Sequence, residues 1–167
     1  MSIAAIQEEI IEEFSFFEDW MQRYEHMIEL GKSLPLIDPQ HKTEDNIIKG
    51  CQSKVWLHAG LQEDKVVFTA DSDAIITKGI IALLIRVFSH QKPADILAAN
   101  TQFIDQIGLK EHLSPTRANG LVSMIKQIKL WRPHTSRAQL FGRLGSLTIT
   151  RTRPTKAIRT IGPDRPL

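Results

Sequence analysis

Residues 54–88, KVWLHAGLQEDKVVFTADSDAIITKGIIALLIRVF, contain the pattern that decides the fold. Residues 54–59 alternate polar or amphipathic side chains with apolar ones, and residues 65–70 form a second run that predicts a β-strand. Turn-forming residues at 60–64 join the two runs, so the pattern predicts a hairpin. From residue 75 to residue 88, apolar residues recur every fourth position as doublets, which predicts a helix at the centre of the core.

Helices are also predicted on either side of this unit, because apolar residues recur there at intervals of three and four. Their approximate ranges are 3–14, 17–31, 93–99, 101–107 and 115–128. The predicted fold class is therefore α+β, a small antiparallel sheet packed against several helices.

Three local features refine the helical predictions. Ser15 and Glu18 have the spacing of a capping box at the start of the second helix. Asp71 and Asp73 are predicted to cap the central helix and complement its dipole, and they would also help to place the Cys51 loop if the hairpin brings the helix start close to it. Gly79 lies inside that helix, where glycine is costly, so a close approach of the helix to a strand is predicted there.

Charge is distributed unevenly along the 167 residues, although the net charge is only +2. Residues 1–130 hold 13 basic and 18 acidic side chains, whereas residues 131–167 hold eight basic side chains and Asp164 alone. The acidic larger part argues against nucleic acid as a partner. The second range, rich in Arg, Thr and Pro, is predicted to be a basic tail that is disordered or non-native.

Several features of the sequence predict where in the cell the protein is found. Residues 1–13 have no basic region typical of a secretory signal, and no apolar run reaches the length of a membrane span. One cysteine forms no intramolecular disulfide, and no Cys/His cluster has the spacing of a structural zinc site. These features predict a cytoplasmic protein with no membrane partner.

The single cysteine, Cys51, is the candidate reactive residue. Gly50 precedes it and a predicted strand follows it, a setting that favours an exposed turn. The thiolate is the reactive form of cysteine, and Lys49 and Lys54 would increase its population unless the strand geometry points them away from it. From these residues alone, a small buried hydrophobic residue remains the more common role for a lone cysteine.

Residues 50–56, Gly-Cys-Gln-Ser-Lys-Val-Trp, resemble the cysteine signature of the SufE family, which includes the CsdE proteins. Three further stretches match the family in the same order, at residues 28–35, 71–79 and 112–121. The four blocks lie in register across residues 5–130, about three quarters of the chain.

This resemblance implies a SufE/IscU-like fold for residues 1–130 and a sulfur acceptor. A PLP-dependent cysteine desulfurase, of SufS or CsdA type, would transfer persulfide sulfur to Cys51 and be stimulated by the chain. The sulfur would then pass to an iron–sulfur scaffold complex. PLP belongs to the partner, so no cofactor is expected on this chain, which would be a sulfur-transfer partner and not a self-contained enzyme, as a monomer or a homodimer.

The resemblance also assigns supporting positions to Gly50, Gln52, Asp73 and Arg117. The apolar face of the first strand, Val55 and Leu57 with Trp56 nearby, is expected to shelter a persulfide.

Three other functions remain open. A thiol hydrolase would need a histidine and an orienting group near Cys51. An iron–sulfur scaffold would need several thiolates, which one cysteine per chain supplies only in an oligomer. A regulatory adaptor would dock on a desulfurase without accepting sulfur.

Overall fold

The computed structural model describes residues 1–133, which form an α+β fold with one two-stranded sheet. The elements in that part of the chain are α1 (Ile3–Ser15), α2 (Trp20–Lys32), β1 (Val55–Gln62), β2 (Lys65–Ser72), α3 (Ile75–Phe88), α4 (Pro93–Ala98), α5 (Gln102–Gln106), α6 (Leu109–His112) and α7 (Pro115–Leu130). Two short 3₁₀ turns, Pro39–His41 and Glu44–Asn46, lie in the connection between α2 and β1.

The hairpin is confirmed, and both strands extend beyond the predicted ranges. β1 and β2 pair antiparallel from Val55 opposite Ser72 to Gln62 opposite Lys65. Connecting segments add backbone hydrogen bonds at the edges: the Ile48 N–H donates to the Val55 carbonyl at 2.8 Å, and the Ala70 N–H donates to the Pro35 carbonyl at 3.0 Å. These contacts satisfy backbone groups that the two strands alone would leave free.

The core is centred on α3, as its doublet pattern predicts. Ten of its 14 residues are buried, which a helix achieves only when other elements cover it on several sides. β2, α2 and α7 all pack against it. Among residues 1–133, no helix is both long enough and apolar enough to cross a bilayer.

The predicted close approach at Gly79 exists, but its partner is a helix and not a strand. A Cβ atom on Gly79 would overlap the carbonyl oxygen of Met27 in α2. Gly31 faces the same crossing, since a Cβ there would lie 3.1 Å from the Gly79 nitrogen. The two glycines therefore allow the backbones of α2 and α3 to touch.

The capping box predicted at Ser15 and Glu18 is wrong, because α1 continues through Ser15. Asp19 is the cap of α2, and its carboxylate accepts the Gln22 N–H at 2.9 Å. The Gln22 side chain reaches back and accepts the Glu18 N–H at 2.9 Å. A similar reciprocal arrangement is thus present, shifted along the chain by four residues.

The caps predicted for α3 are also wrong. Its first turn follows Ala74, and no side chain of the described residues caps it. Asp71 instead binds the Lys42 ammonium at 2.8 Å and the Lys78 ammonium at 3.3 Å. The Ser72 N–H also donates to this carboxylate at 2.8 Å, so Asp71 binds two lysines and the end of β2 instead of capping α3.

Asp71→Asn should destabilise the domain at neutral pH by about 1 kcal/mol, because hydrogen bonds to a charged group are lost from a partly screened site. Burial alone would raise the pKa of Asp71, but hydrogen bonds from Lys42, the Ser72 N–H and Lys78 outweigh it and lower the pKa. A depressed folded-state pKa adds stability above the unfolded value, near 4, and that stability is lost as the pH falls through the folded value.

Urea unfolding of both proteins at several pH values measures this difference, which should shrink below about pH 4. Asp64→Asn is the matched control, since Asp64 pairs with Lys92 at 3.0 Å on an exposed surface and should show no measurable change. Equal stability of the Asp71 variant and the parent at pH 7 would contradict the role assigned to this cluster.

The predicted C-terminal tail begins at Trp131, whose ring packs edge-on against Phe68 with centroids 6.4 Å apart. Residues 134–167, the rest of that predicted tail, lie outside the described residues.

Candidate functional site around Cys51

Cys51 lies in a short loop that immediately precedes β1. The hydrogen bond between Ile48 and Val55 closes this loop at its base. Gly50 has φ +92°, a left-handed conformation that glycine adopts without strain. A Cβ atom there would also come within 2.5 Å of the Ser123 hydroxyl on α7. Glycine before the cysteine is therefore required both by the turn and by the contact with α7.

Asp73 anchors the other end of the loop. Its carboxylate accepts the Lys54 N–H at 3.0 Å, and its own N–H donates to the Lys54 carbonyl at 3.3 Å. The Ser72 hydroxyl donates to the same carbonyl at 2.9 Å. The start of α3 is thereby tied to the loop, so Asp73 positions the loop instead of capping the helix.

The Cys51 side chain is half-buried between the loop and α7. Its Sγ donates a weak hydrogen bond to the Gly120 carbonyl at 3.7 Å. A Cβ atom on Gly120 would lie 3.3 Å from Sγ, so the absence of a side chain makes room for the sulfur. α7 thus approaches the thiol through glycine backbone.

A cavity of about 70 Å³ adjoins the thiol. It is lined by Cys51, Gln52, Ser53, Thr77, Ile80, Thr116, Arg117, Gly120 and Met124. The loop, the first turns of α3 and the first turns of α7 each contribute to its wall. The cavity has mixed polarity, with Thr77 and Arg117 among its polar members and Ile80 and Met124 among its apolar ones.

Burial raises the pKa of the Cys51 thiol above its ordinary value. The expectation that Lys49 and Lys54 increase the thiolate population is therefore wrong for this state of the protein. Both lysines are exposed, where water screens their charge. Burial therefore favours the protonated thiol, which lies within hydrogen-bonding distance of the Gly120 carbonyl.

The site brings several sequence-predicted residues together. Gln52 and Arg117 line the same cavity, Gly50 shapes the turn, and Asp73 holds the loop exit. The expected shelter from Val55 and Leu57 is wrong, since both side chains are buried in the core and neither lines the cavity.

Sequence reasoning missed Thr77, Ile80 and Ser123 as members of this site. Thr77 could have been noticed as a polar residue within the apolar stripe of α3. The stripe alone, however, does not show which other element packs against that residue. Met124 lies on the buried face of α7 and also lines this cavity.

The geometry of the site argues against two alternative functions, a thiol hydrolase and a single-chain metal scaffold. Among the described residues, no histidine or carboxylate lines the cavity beside Cys51, so the base that a thiol hydrolase needs is missing there. Within residues 1–133, no group of three or more His, Cys, Asp or Glu side chains is arranged to hold a metal ion. A metal-binding scaffold on a single chain therefore has no structural basis in the described part.

Fold and site together define a class: an α+β domain that presents one half-buried thiol beside a small cavity. The chain belongs to the SufE family. The family model, described as an Fe-S metabolism associated domain, matches residues 8–131. Membership links the protein to iron–sulfur metabolism and implies interaction with a cysteine desulfurase.

Relatives of known sequence agree with this placement. An uncharacterized SufE-like protein of Rhizobium meliloti is 42% identical over 127 residues, which cover 73% of this chain and 91% of that protein. A second, from Rhizobium etli, is 42% identical over 128 residues and covers 73% and 86%. SufE-like protein 1, chloroplastic/mitochondrial, of Arabidopsis thaliana is 39% identical over 120 residues, 71% of this chain and 32% of the plant protein.

A solved structure supports the fold alone. The solution structure of a hypothetical protein from Thermus thermophilus aligns with a TM-score of 0.63 and 22% sequence identity. It covers 84% of this chain and 97% of the other. The predicted α+β fold class is confirmed.

Proposed function

We propose that Cys51 accepts persulfide sulfur from a PLP-dependent cysteine desulfurase and relays it for iron–sulfur cluster assembly. The observation that supports this most directly is the cavity beside the Cys51 Sγ, which offers space next to the only thiol of the chain. That thiol lies in the block that matches the family signature.

The transfer has the form of thiol–disulfide exchange. The Cys51 thiolate attacks the outer sulfur of the donor persulfide, and a new S–S bond forms on Cys51. The donor S–S bond breaks, and its electron pair leaves with the donor thiolate. One S–S bond replaces another, so the step needs no oxidant or reductant.

The buried resting thiol makes Cys51 a poor nucleophile before a partner arrives, because only the thiolate attacks. Docking would have to release the proton that Sγ directs to Gly120 and bring the donor to the open side of the loop. Arg117, which is exposed at the cavity, would offer positive charge to the anionic sulfur of an incoming donor.

The proposed role as a sulfur carrier also implies a donor enzyme and a recipient for the sulfur. The donor would be a SufS-type or CsdA-type enzyme that carries the PLP, and a scaffold complex would receive the sulfur. A reducing cytoplasm suits a carrier that must keep its thiol reduced between cycles. The net negative charge of residues 1–130 argues against nucleic acid as a partner.

Mass spectrometry of the protein after incubation with desulfurase and free cysteine tests the proposal. We expect a gain equal to one sulfur atom, located on the peptide that contains Cys51 and removed by a thiol reductant. Stimulated desulfurase turnover with no added mass on the chain would contradict sulfur transfer and favour the adaptor.

A further inference from the structure

The amino end of α3 lacks a side-chain cap, as do those of the short helices α4, α5 and α6. The helix spans Ile75–Phe88, and Ala74 precedes it without any side-chain hydrogen bond to the first turn. Asp71 is bound by two lysines, and Asp73 is bound to the loop at Lys54. The first-turn N–H groups therefore remain available, and they carry the positive end of the helix dipole.

Thr77 gives an independent sign of a ligand at this helix end. Its side chain is only 5% exposed and lines the cavity next to Cys51. No residue among 1–133 forms a hydrogen bond with its hydroxyl, and this oxygen is not one of the fully enclosed unpartnered atoms of that range, so it keeps access to the cavity. A threonine in a helix often bonds back to a carbonyl of the preceding turn, and Thr77 does not. Its hydroxyl is thus a free donor in the cavity wall.

The direction of helical side chains places this donor close to the uncapped turn. Side chains of a helix lean toward its amino end, so the Thr77 side chain leans over the first turn of α3. The hydroxyl and the helix dipole therefore favour the same kind of occupant, an anion or a strong hydrogen-bond acceptor.

We infer that Thr77 is a positioning residue for the sulfur-loaded state, and that its hydroxyl donates a hydrogen bond to the terminal sulfur of a persulfide on Cys51. The inference rests on the proposed function, since it requires Cys51 to carry the sulfur. A persulfide is more acidic than the corresponding thiol, so its terminal sulfur is anionic at neutral pH. An anionic acceptor makes the stronger hydrogen bond and is favoured by the positive end of α3.

The unloaded thiol has a different partner. Its Sγ donates to the Gly120 carbonyl, an acceptor that stabilises the protonated form. The terminal sulfur of a persulfide extends one bond further, into the cavity that Thr77 lines. The two sides of the site thus distinguish the two states of Cys51: a neutral resting thiol and an anionic loaded persulfide.

Thr77→Val tests the inference, because valine keeps the shape of threonine and removes the hydroxyl. Thr77→Ser is the matched control that keeps the hydroxyl, and Thr77→Ala is a second variant without it. Inorganic polysulfide loads Cys51 without a desulfurase: the thiolate takes one sulfur atom, and a polysulfide shorter by one atom leaves. Alkylation with iodoacetamide across a pH series, followed by mass spectrometry, then gives the titration midpoints of the persulfide and of the unloaded thiol.

We expect the persulfide midpoint to rise by about one pH unit in Thr77→Val and Thr77→Ala, because one hydrogen bond to a charged sulfur is lost. Thr77→Ser should match the parent, and the midpoint of the unloaded thiol should be the same in all four proteins. A structural role alone would move both midpoints or neither.

An unchanged persulfide midpoint in Thr77→Val and Thr77→Ala overturns the inference, and so does an equal shift of both midpoints. Failure of the parent protein to gain sulfur from either polysulfide or desulfurase overturns the proposed function itself. The two failures are therefore distinguishable, because the first is observed only on protein that has been loaded.

Discussion

Replacing Cys51 by serine should abolish sulfur loading and leave the fold unchanged. The hydroxyl of serine is smaller than the thiol and can donate to the same Gly120 carbonyl, so the loop keeps its contact with α7. A serine hydroxyl does not form a stable persulfide, and the chain has no second thiol to substitute for it. We therefore expect complete loss of the added sulfur mass, an effect much larger than any change in stability.

Mass spectrometry after incubation with desulfurase and cysteine measures the loss, and urea unfolding verifies that the variant is folded. Ser53→Ala is the matched control: Ser53 lines the same cavity but carries no thiol, so this variant should still load. Sulfur bound to the Cys51→Ser protein at the level of the parent would refute Cys51 as the acceptor.

The same variant separates the carrier from the regulatory adaptor. An adaptor acts by docking, so Cys51→Ser would still stimulate sulfide release by the desulfurase. A carrier removes sulfur from the enzyme, so stimulation should disappear together with the thiol. We expect the second result, measured as desulfurase turnover with saturating amounts of each protein.

Gly79→Ala should have the largest effect on stability. The added Cβ would overlap the Met27 carbonyl, and a backbone atom moves only if the whole of α2 moves. Overpacking of this kind costs about 3 kcal/mol, while alanine returns about 1 kcal/mol of helix propensity, so a net loss near 2 kcal/mol is expected. The crossing of α2 and α3 is thus predicted to be intolerant of even one methyl group.

Urea unfolding measures this loss, and Gly60→Ala is the control. Gly60 lies in β1, and no atom of residues 1–133 lies within 4 Å of the position that its Cβ would occupy, so this substitution should not destabilise the domain. Equal unfolding free energies for the two variants would mean that α2 and α3 do not make backbone contact at Gly79.

Local patterns in the sequence were sufficient to predict the secondary-structure elements. The hairpin followed from alternation, and the burial of α3 followed from its doublets of apolar residues. Ser114 caps α7 and Pro115 occupies its first position, a pair of adjacent residues that is typical of a helix start. Each of these features depends on interactions within a few residues, which sequence periodicity records directly.

The partners of polar side chains could be identified only from the tertiary structure. Asp71 and Asp73 had the right spacing to cap α3, yet they bind Lys42 and Lys54, which the sequence does not mark as neighbours. Gly79 was correctly associated with a close approach but to the wrong element. Several possible partners compete for each polar side chain, and the packing of distant segments decides which of them it binds.

The sequence by itself determined that Cys51 is the only thiol, that glycine precedes it and that a strand follows. Only the tertiary structure decided that burial raises the pKa of the thiol, that Gly120 approaches it and that Thr77 lines the adjoining cavity. The reason is physical: burial and hydrogen-bond partners are properties of three segments that meet in space, and no local pattern encodes their meeting.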